Sequence, residues 1–189
     1  MSNYKHSMKM LFSLLSIFLG VSIWNQVPSP LNASPLRQKQ AIPPTPSQVA
    51  RTQVKVFFPR DPSIEEDFTR VEPVLRTTSS QGLARFAIEQ LIAGPTRQER
   101  TRRLISTIRL TGSSNCGTDF TLSISNRVAR LQFCKTFIYD GVGDVARTKS
   151  SINATLLQFP TIRSVIILDK NGRCWADDSG ENTCLRPKA

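Results

Sequence analysis

The sequence has one histidine, His6, and it precedes the first long apolar run. The rest of the chain therefore lacks an imidazole to act as general base or metal ligand. There is no Cys-x-x-Cys, so a zinc site would have to gather four thiolates spaced 18, 40 and 10 residues apart, and no metal is expected. No glycine-rich phosphate loop is present. "YDGVGD" (139–144) has two glycines on a strand-to-helix path but lacks the third, so no nucleotide cofactor is expected. "DKNG" (169–172) begins like a calcium loop, but it lacks the alternating third ligand and its glycine comes two positions early, which makes it a hairpin turn. Aromatic residues are only 7% of the chain and acids number 14 against 25 Lys and Arg.

What the chain does have begins with "MLFSLLSIFLGVSIW", Met10 to Trp24, with Lys5 and Lys9 before it and no further charge until Arg37. A basic flank, an apolar stretch and then prolines and serines form an export pattern. Extended to Val27, the apolar stretch (10–27) approaches the roughly 20 residues that span a bilayer as a helix. Residues 1–33 are accordingly a signal peptide, with Leu31-Asn32-Ala33 offering a small residue for cleavage, or a retained membrane anchor. Both readings put the rest of the chain outside the cytoplasm: periplasmic, secreted, or anchored and facing outward. Residues 34–53 form a proline-rich linker that cannot repay the entropy of ordering.

In an oxidising compartment four cysteines suggest two disulfides, and three pairings are available to Cys116, Cys134, Cys174 and Cys184. "SNCGTDFTLSISNRVARLQFCKTF" (114–137) reads as a hairpin. If Asn126 and Arg127 make a two-residue turn, Phe120 faces Phe133, Leu122 faces Leu131 and Ile124 faces Ala129, all on one apolar face. Cys134 then opposes Asp119, three positions from Cys116, and Gly117 lets the chain fold back. Cys116 with Cys134 is a plausible pairing on this register, though not a forced one, and it leaves Cys174 with Cys184 as a clip on the tail, residues 173–189.

Along the chain, "VKVFFPR" from Val54 is a strand closed by Pro59, and "RVEPVLRTT" (70–78) is β-prone with Pro73 suited to an edge. Ser79 or Ser80 is expected to cap a helix starting near Gln81, whose Leu83, Ala84, Ala87, Ile88, Leu91 and Ile92 keep helical spacing until Gly94-Pro95. A short basic helical turn follows in "TRQERTRRLI", then the hairpin. Residues 144–159 form a second helix that turns Val145, Ile152, Leu156 and Phe159 inward and stops at Pro160, and "TIRSVIILD" is a buried strand. This order predicts a two-layer α+β domain: a mixed sheet of about five strands with two helices on one face.

Together, "VKVFFPR", "VEPVLRTT", "ARFAIEQLIAGPTRQE", "ISTI", "VARLQFCKTF" and "INATLLQFPTIRSVIILDKNG" resemble the GerMN domain, a family named after a sporulation and spore-germination protein. The resemblance spans residues 54–172. It implies an exported or lipid-anchored envelope protein, similar in architecture to ring-building motifs, without established catalytic activity, and it carries over no catalytic residues. This chain departs from the pattern at Leu110, where a proline is usual, and at Gln132, where an acid is usual. It also lacks the lipid-attachment cysteine and adds four others.

The strongest chemical feature is charge. Without residues 1–33, 23 basic residues face 14 acidic ones, a net charge of +9. Arg97, Arg100, Arg102, Arg103 and Arg109 crowd the segment after the first helix and suit an anionic partner: an envelope protein, a wall polymer or lipid head groups. The export signal and the scarcity of aromatics argue against nucleic acid. Two acidic loops, Glu65-Glu66-Asp67 and Asp177, Asp178 with Glu181, are the sites from which a wall hydrolase would draw its acid and base. The expectation is a non-catalytic binding or assembly module of the envelope, in which oligomerisation would be one mode of action, with the hydrolase as its rival.

Overall fold

The computed structural model describes residues 50–186. The export block at 10–27, His6 and the linker up to residue 49 lie outside the described residues. Among the described residues, no helix is long and apolar enough to cross a membrane.

Strand β1 (Thr52–Pro59) pairs antiparallel with β2 (Val71–Thr78) along their full length, Thr52 opposite Thr78 and Pro59 opposite Val71. Alternation in "VKVF" buries Val54 and Val56 and leaves Lys55 out, as a half-covered ribbon requires. Helix α1 (Leu83–Ala93) buries Ala87, Ile88 and Leu91, and Gly94 at φ +81° ends it while returning its N–H to the carbonyls of Gln90 and Leu91. The serine cap is not formed. Gly82 occupies the N-cap position, and the Ser80 hydroxyl instead accepts from the Gly82 N–H. A short helix, α2 (Arg97–Thr101), opens with a reciprocal box in which Thr96 Oγ1 accepts from Glu99 N and Glu99 Oε2 accepts from Thr96 N.

After a three-residue strand β3 (Arg109–Thr111) comes the hairpin of β4 (Phe120–Ser125) and β5 (Val128–Phe133). Its register places Phe120 opposite Phe133, Leu122 opposite Leu131 and Ile124 opposite Ala129. Asn126 (φ 50°) and Arg127 (φ 64°) are both left-handed, the geometry that matches a two-residue turn to the right-handed twist of the strands. Cys116 and Cys134 are joined, Cα to Cα 5.7 Å, with Gly117 at φ +80° bending the chain back.

Strand β6 (Thr136–Ile138) pairs with β3, and helix α3 (Gly141–Leu157) follows, starting three residues earlier and ending two earlier than its periodicity predicts. Ile152 and Leu156 are fully buried, while Val145 and Phe159 pack at the core's margin. Strand β7 (Ser164–Leu168) runs parallel to β5. The chain then turns at Gly172, and Cys174 bonds Cys184 at a Cα separation of 5.9 Å.

The α+β architecture is the expected one, and α1 and α3 pack on each other and on β1. The single mixed sheet of about five strands is corrected. Among the described residues, seven strands fall into three hydrogen-bonded sets, β1–β2, β3–β6 and the mixed β4–β5–β7. Side chains rather than backbone join these sets. Val56, Phe58, Ile88, Leu91, Leu131, Phe133 and Leu156 meet in one core. Burial of such residues contributes about 1.5–3 kcal/mol each, which is enough to unite sheets that share no hydrogen bonds.

Candidate functional site

The five arginines singled out in the sequence do not form one free patch. Arg102 pairs with Glu72 at 3.2 Å, which also takes Arg60. Arg103, itself left-handed at φ 66°, reaches Asp61 at 3.3 Å and donates to Ser63 Oγ at 2.7 Å. Arg109 bridges Asp140 and Asp144 at 2.9 and 3.0 Å. Arg100 donates to the Pro95 carbonyl at 2.6 Å and meets no carboxylate among the described residues, nor does Arg97. The only basic segment visible as a run is therefore three-fifths neutralised. Glu99, the acid nearest it in sequence, belongs to Arg76 instead, through two bonds of 2.6 and 2.7 Å.

A second group of cations comes together only in the fold. The hairpin turn carries Arg127, the β5 face carries Arg130 opposite Ser123, and Arg163 enters β7 with its N–H on the Arg127 carbonyl at 2.7 Å. All three are exposed, and none has a carboxylate within ion-pair distance among the described residues. Arg127 reaches only the Pro160 carbonyl, at 3.1 Å. In sequence they stand 3 and 33 residues apart, so no local run announces them. The two-residue turn together with a parallel β5–β7 crossover is the signal that brings them together.

Both acidic loops are occupied by local hydrogen bonds. Asp67 accepts from the Thr69 hydroxyl and N–H, and Asp177 from the Ser179 hydroxyl and the Asn182 N–H. These bonds hold both carboxyls below the ordinary aspartate range, led in each case by the hydroxyl. Glu65 pairs with Arg70 at 3.1 Å and Glu181 with Arg186 at 3.6 Å. A cleft of about 300 Å³ lies between β6, the 169–172 turn and the clipped tail, lined in part by Phe137, Tyr139, Trp175 and Lys170. Three carboxylates reach it. Asp169 is taken by Arg173 (3.1 Å) and Asp177 by its own loop, which leaves Asp178 without a partner among the described residues. Among the described residues, no group of three or more His, Cys, Asp or Glu is placed to hold a metal ion.

Sequence reasoning passed over Arg147. It sits in the first turns of α3, only 6% exposed, with the Phe68 ring 4.4 Å from its guanidinium and Asp144 3.9 Å away. The flat guanidinium fits beside Gly143, where a Cβ would come within 3.2 Å of it.

No functionally curated protein matches the chain. Among solved structures it is similar to the tandem GerMN domains of the sporulation protein GerM from Bacillus subtilis, at 18% identity and TM-score 0.41 over 68% of this chain. This chain spans 42% of that protein's length. It is also similar to a Clostridium perfringens protein described as a lipoprotein, at 17% identity and TM-score 0.37 over 67% of this chain and 79% of that one. The family model described as Germane, sporulation and spore germination, matches residues 55–173, well over half of the sequence, and the chain belongs to that family.

Proposed function

We propose that the chain is an exported, non-catalytic binding or assembly domain of the cell envelope whose partner is anionic. The observation that carries this reading is unneutralised positive charge displayed on a disulfide-bonded scaffold. Arg97 and Arg100 on one segment, and Arg127, Arg130 and Arg163 on another, meet no carboxylate among the described residues. Such charge raises the local concentration of anionic groups and speeds encounter. Two disulfides and no free cysteine fit an oxidising compartment. A wall hydrolase would need one carboxyl raised in pKa beside a second, ionised one. Asp67 and Asp177 are shifted the other way, and the cleft offers Asp178 alone.

The test incubates full-length protein with isolated envelope from its source cells, then measures sedimented protein and soluble sugar. The expected result is binding that is released by salt, weakened by Arg97→Glu with Arg100→Glu, and unaccompanied by sugar release. Sugar release that disappears in Asp178→Asn would establish the hydrolase instead. Arg102→Glu or Arg103→Glu is the poorer experiment, because the first sets a new negative charge beside Glu72, which Arg60 also holds, and the second leaves Asp61 without its cation.

A further inference from the structure

The longer edge strands of this fold each carry a side-chain cap, a proline or a covering segment on part of their outward side, with one exception. On β1, the outward N–H groups of Lys55 and Phe57 donate to Gln158 Oε1 (2.9 Å) and Thr155 Oγ1 (3.1 Å), and Gln158 Nε2 returns a bond to the Lys55 carbonyl (2.7 Å). On β2, Pro73 opposite Phe57 removes one outward donor, and the Arg76 guanidinium covers the Leu75 carbonyl at 3.2 Å. On β7, the Cys174 segment lies along the edge, with Trp175 N on Ile167 O (2.9 Å) and Asp169 N on Arg173 O (2.8 Å). Side-chain caps, proline and covering loops are the devices by which sheets avoid adventitious pairing.

Strand β4 has none of them beyond its first residue. Because Asp119 and Cys134 are hydrogen-bonded opposites, Phe120, Leu122 and Ile124 point their backbone groups away from β5. The Phe120 carbonyl is met by the Thr118 hydroxyl at 2.8 Å. The N–H and C=O of Leu122 and Ile124 meet nothing on that side among the described residues, and β4 stands at the end of its sheet. "FTLSIS" contains neither charge nor proline, and Ile124 is 44% exposed.

We propose that this edge is a docking strand for an extended acidic segment of a partner protein, added beside β4 as a fourth strand; the proposal rests on the binding role above. Charge selects the occupant. On the outer face Arg130 lies across from Ser123, a side chain too short to screen it. A docked strand would lie about 10 Å from β5, two strand spacings, a gap that Arg130 and a Glu or Asp opposite Ser123 bridge between them. Arg127 and Arg163 add positive field at the turn. The nearest acid on β4's flank, Asp119, is held by Lys135 at 2.6 Å. On the other face the docked strand meets Leu122 and Ile124, so the fitting pattern alternates acidic and apolar residues. A second copy of this chain fits less well, since its β4 brings no carboxylate to Arg130 and the described residues carry 20 basic against 14 acidic side chains.

The test uses full-length labelled protein and two synthetic peptides with alternating Glu/Val or Lys/Val sequence, followed by amide NMR. The Glu peptide is expected to shift and protect the Leu122 and Ile124 amides, and the Lys peptide to do neither. Ile124→Pro removes one outward donor, as Pro73 does naturally on β2, and is expected to weaken binding about tenfold. Arg130→Glu, a surface change safe for folding, is expected to reverse the preference to the Lys peptide. Glu-peptide shifts confined to the Arg97–Arg100 segment would overturn the edge proposal while leaving the anionic-partner reading standing. No binding of either peptide would overturn the edge proposal, and envelope sedimentation would then judge the general reading separately. Concentration-dependent protection of Leu122 and Ile124 without peptide would overturn it in favour of a second copy.

Discussion

Arg76 on β2 and Glu99 in α2 form a two-bond ion pair, Nη1 to Oε1 at 2.6 Å and Nη2 to Oε2 at 2.7 Å, with both side chains about seven-eighths buried. Glu99 also closes the Thr96 box, so one carboxylate both starts α2 and ties it to the first ribbon. The Arg76 hydrogen bonds are the largest cause that lowers its pKa from 4.5 to about 2. Because the folded value lies below the unfolded one, the stabilisation is complete above about pH 4.5 and is lost as pH falls toward 2. Urea unfolding across that window should show a fall in stability that is flattened in Glu99→Gln. At pH 7, Arg76→Ala should cost about 3 kcal/mol, since it strands a mostly buried carboxylate.

The side-chain cap on β1 gives a second prediction. Gln158→Ala frees both backbone groups of Lys55, and Thr155→Val leaves the Phe57 N–H unpaired in the core. Each should cost about 1–3 kcal/mol, the larger loss falling on Thr155→Val because Thr155 is fully buried. Hydrogen exchange should quicken first at the Lys55 amide in Gln158→Ala.

Removing Cys116–Cys134 as a Ser pair should cost about 3 kcal/mol by loop entropy, and removing Cys174–Cys184 slightly less because its loop is shorter, 10 residues against 18. The local consequences should differ. Loss of the second bond should raise exchange at Trp175 and Asp169, whose amides close the β7 edge, and leave the β4–β5 amides protected.

Arg127 holds a positive φ that glycine adopts without strain. Arg127→Gly should therefore stabilise the protein by about 0.5–1 kcal/mol in thermal unfolding. Its affinity for isolated envelope should fall at the same time, because one unpaired cation is lost. A drop in stability would show that its bond to the Pro160 carbonyl outweighs the turn strain.

The hairpin was the most legible part of the fold. Alternation on both sides of Asn126 and Arg127 leaves a single register that keeps six apolar residues on one face, and a slip of one residue would expose all of them. Helix α1 was equally plain from its i, i+3, i+4 apolar spacing and its Gly94 stop. The start of α3 was less so, since "GVGD" has poor helix propensity and is held in place by Arg109 on Asp140 and Asp144 from β3. The three-residue strands β3 and β6 carry no periodic signal at that length and exist because they pair with each other.

The candidate surface was read less well than the fold, for a physical reason. A run of arginines in sequence shows charge but not its neutralisation, and the acids that take Arg102, Arg103 and Arg109 come from 30, 42 and up to 35 residues away. By itself, the sequence determined the α+β class, the hairpin register, the family and the excess of positive charge. These depend on local periodicity, turn chemistry and composition. Only the tertiary structure decided which arginines remain unpaired, how the strands divide into three sheets, and which edge carries no cap. Each of those depends on what distant segments place beside a backbone or a charge, and the long-range packing of the core settles that placement.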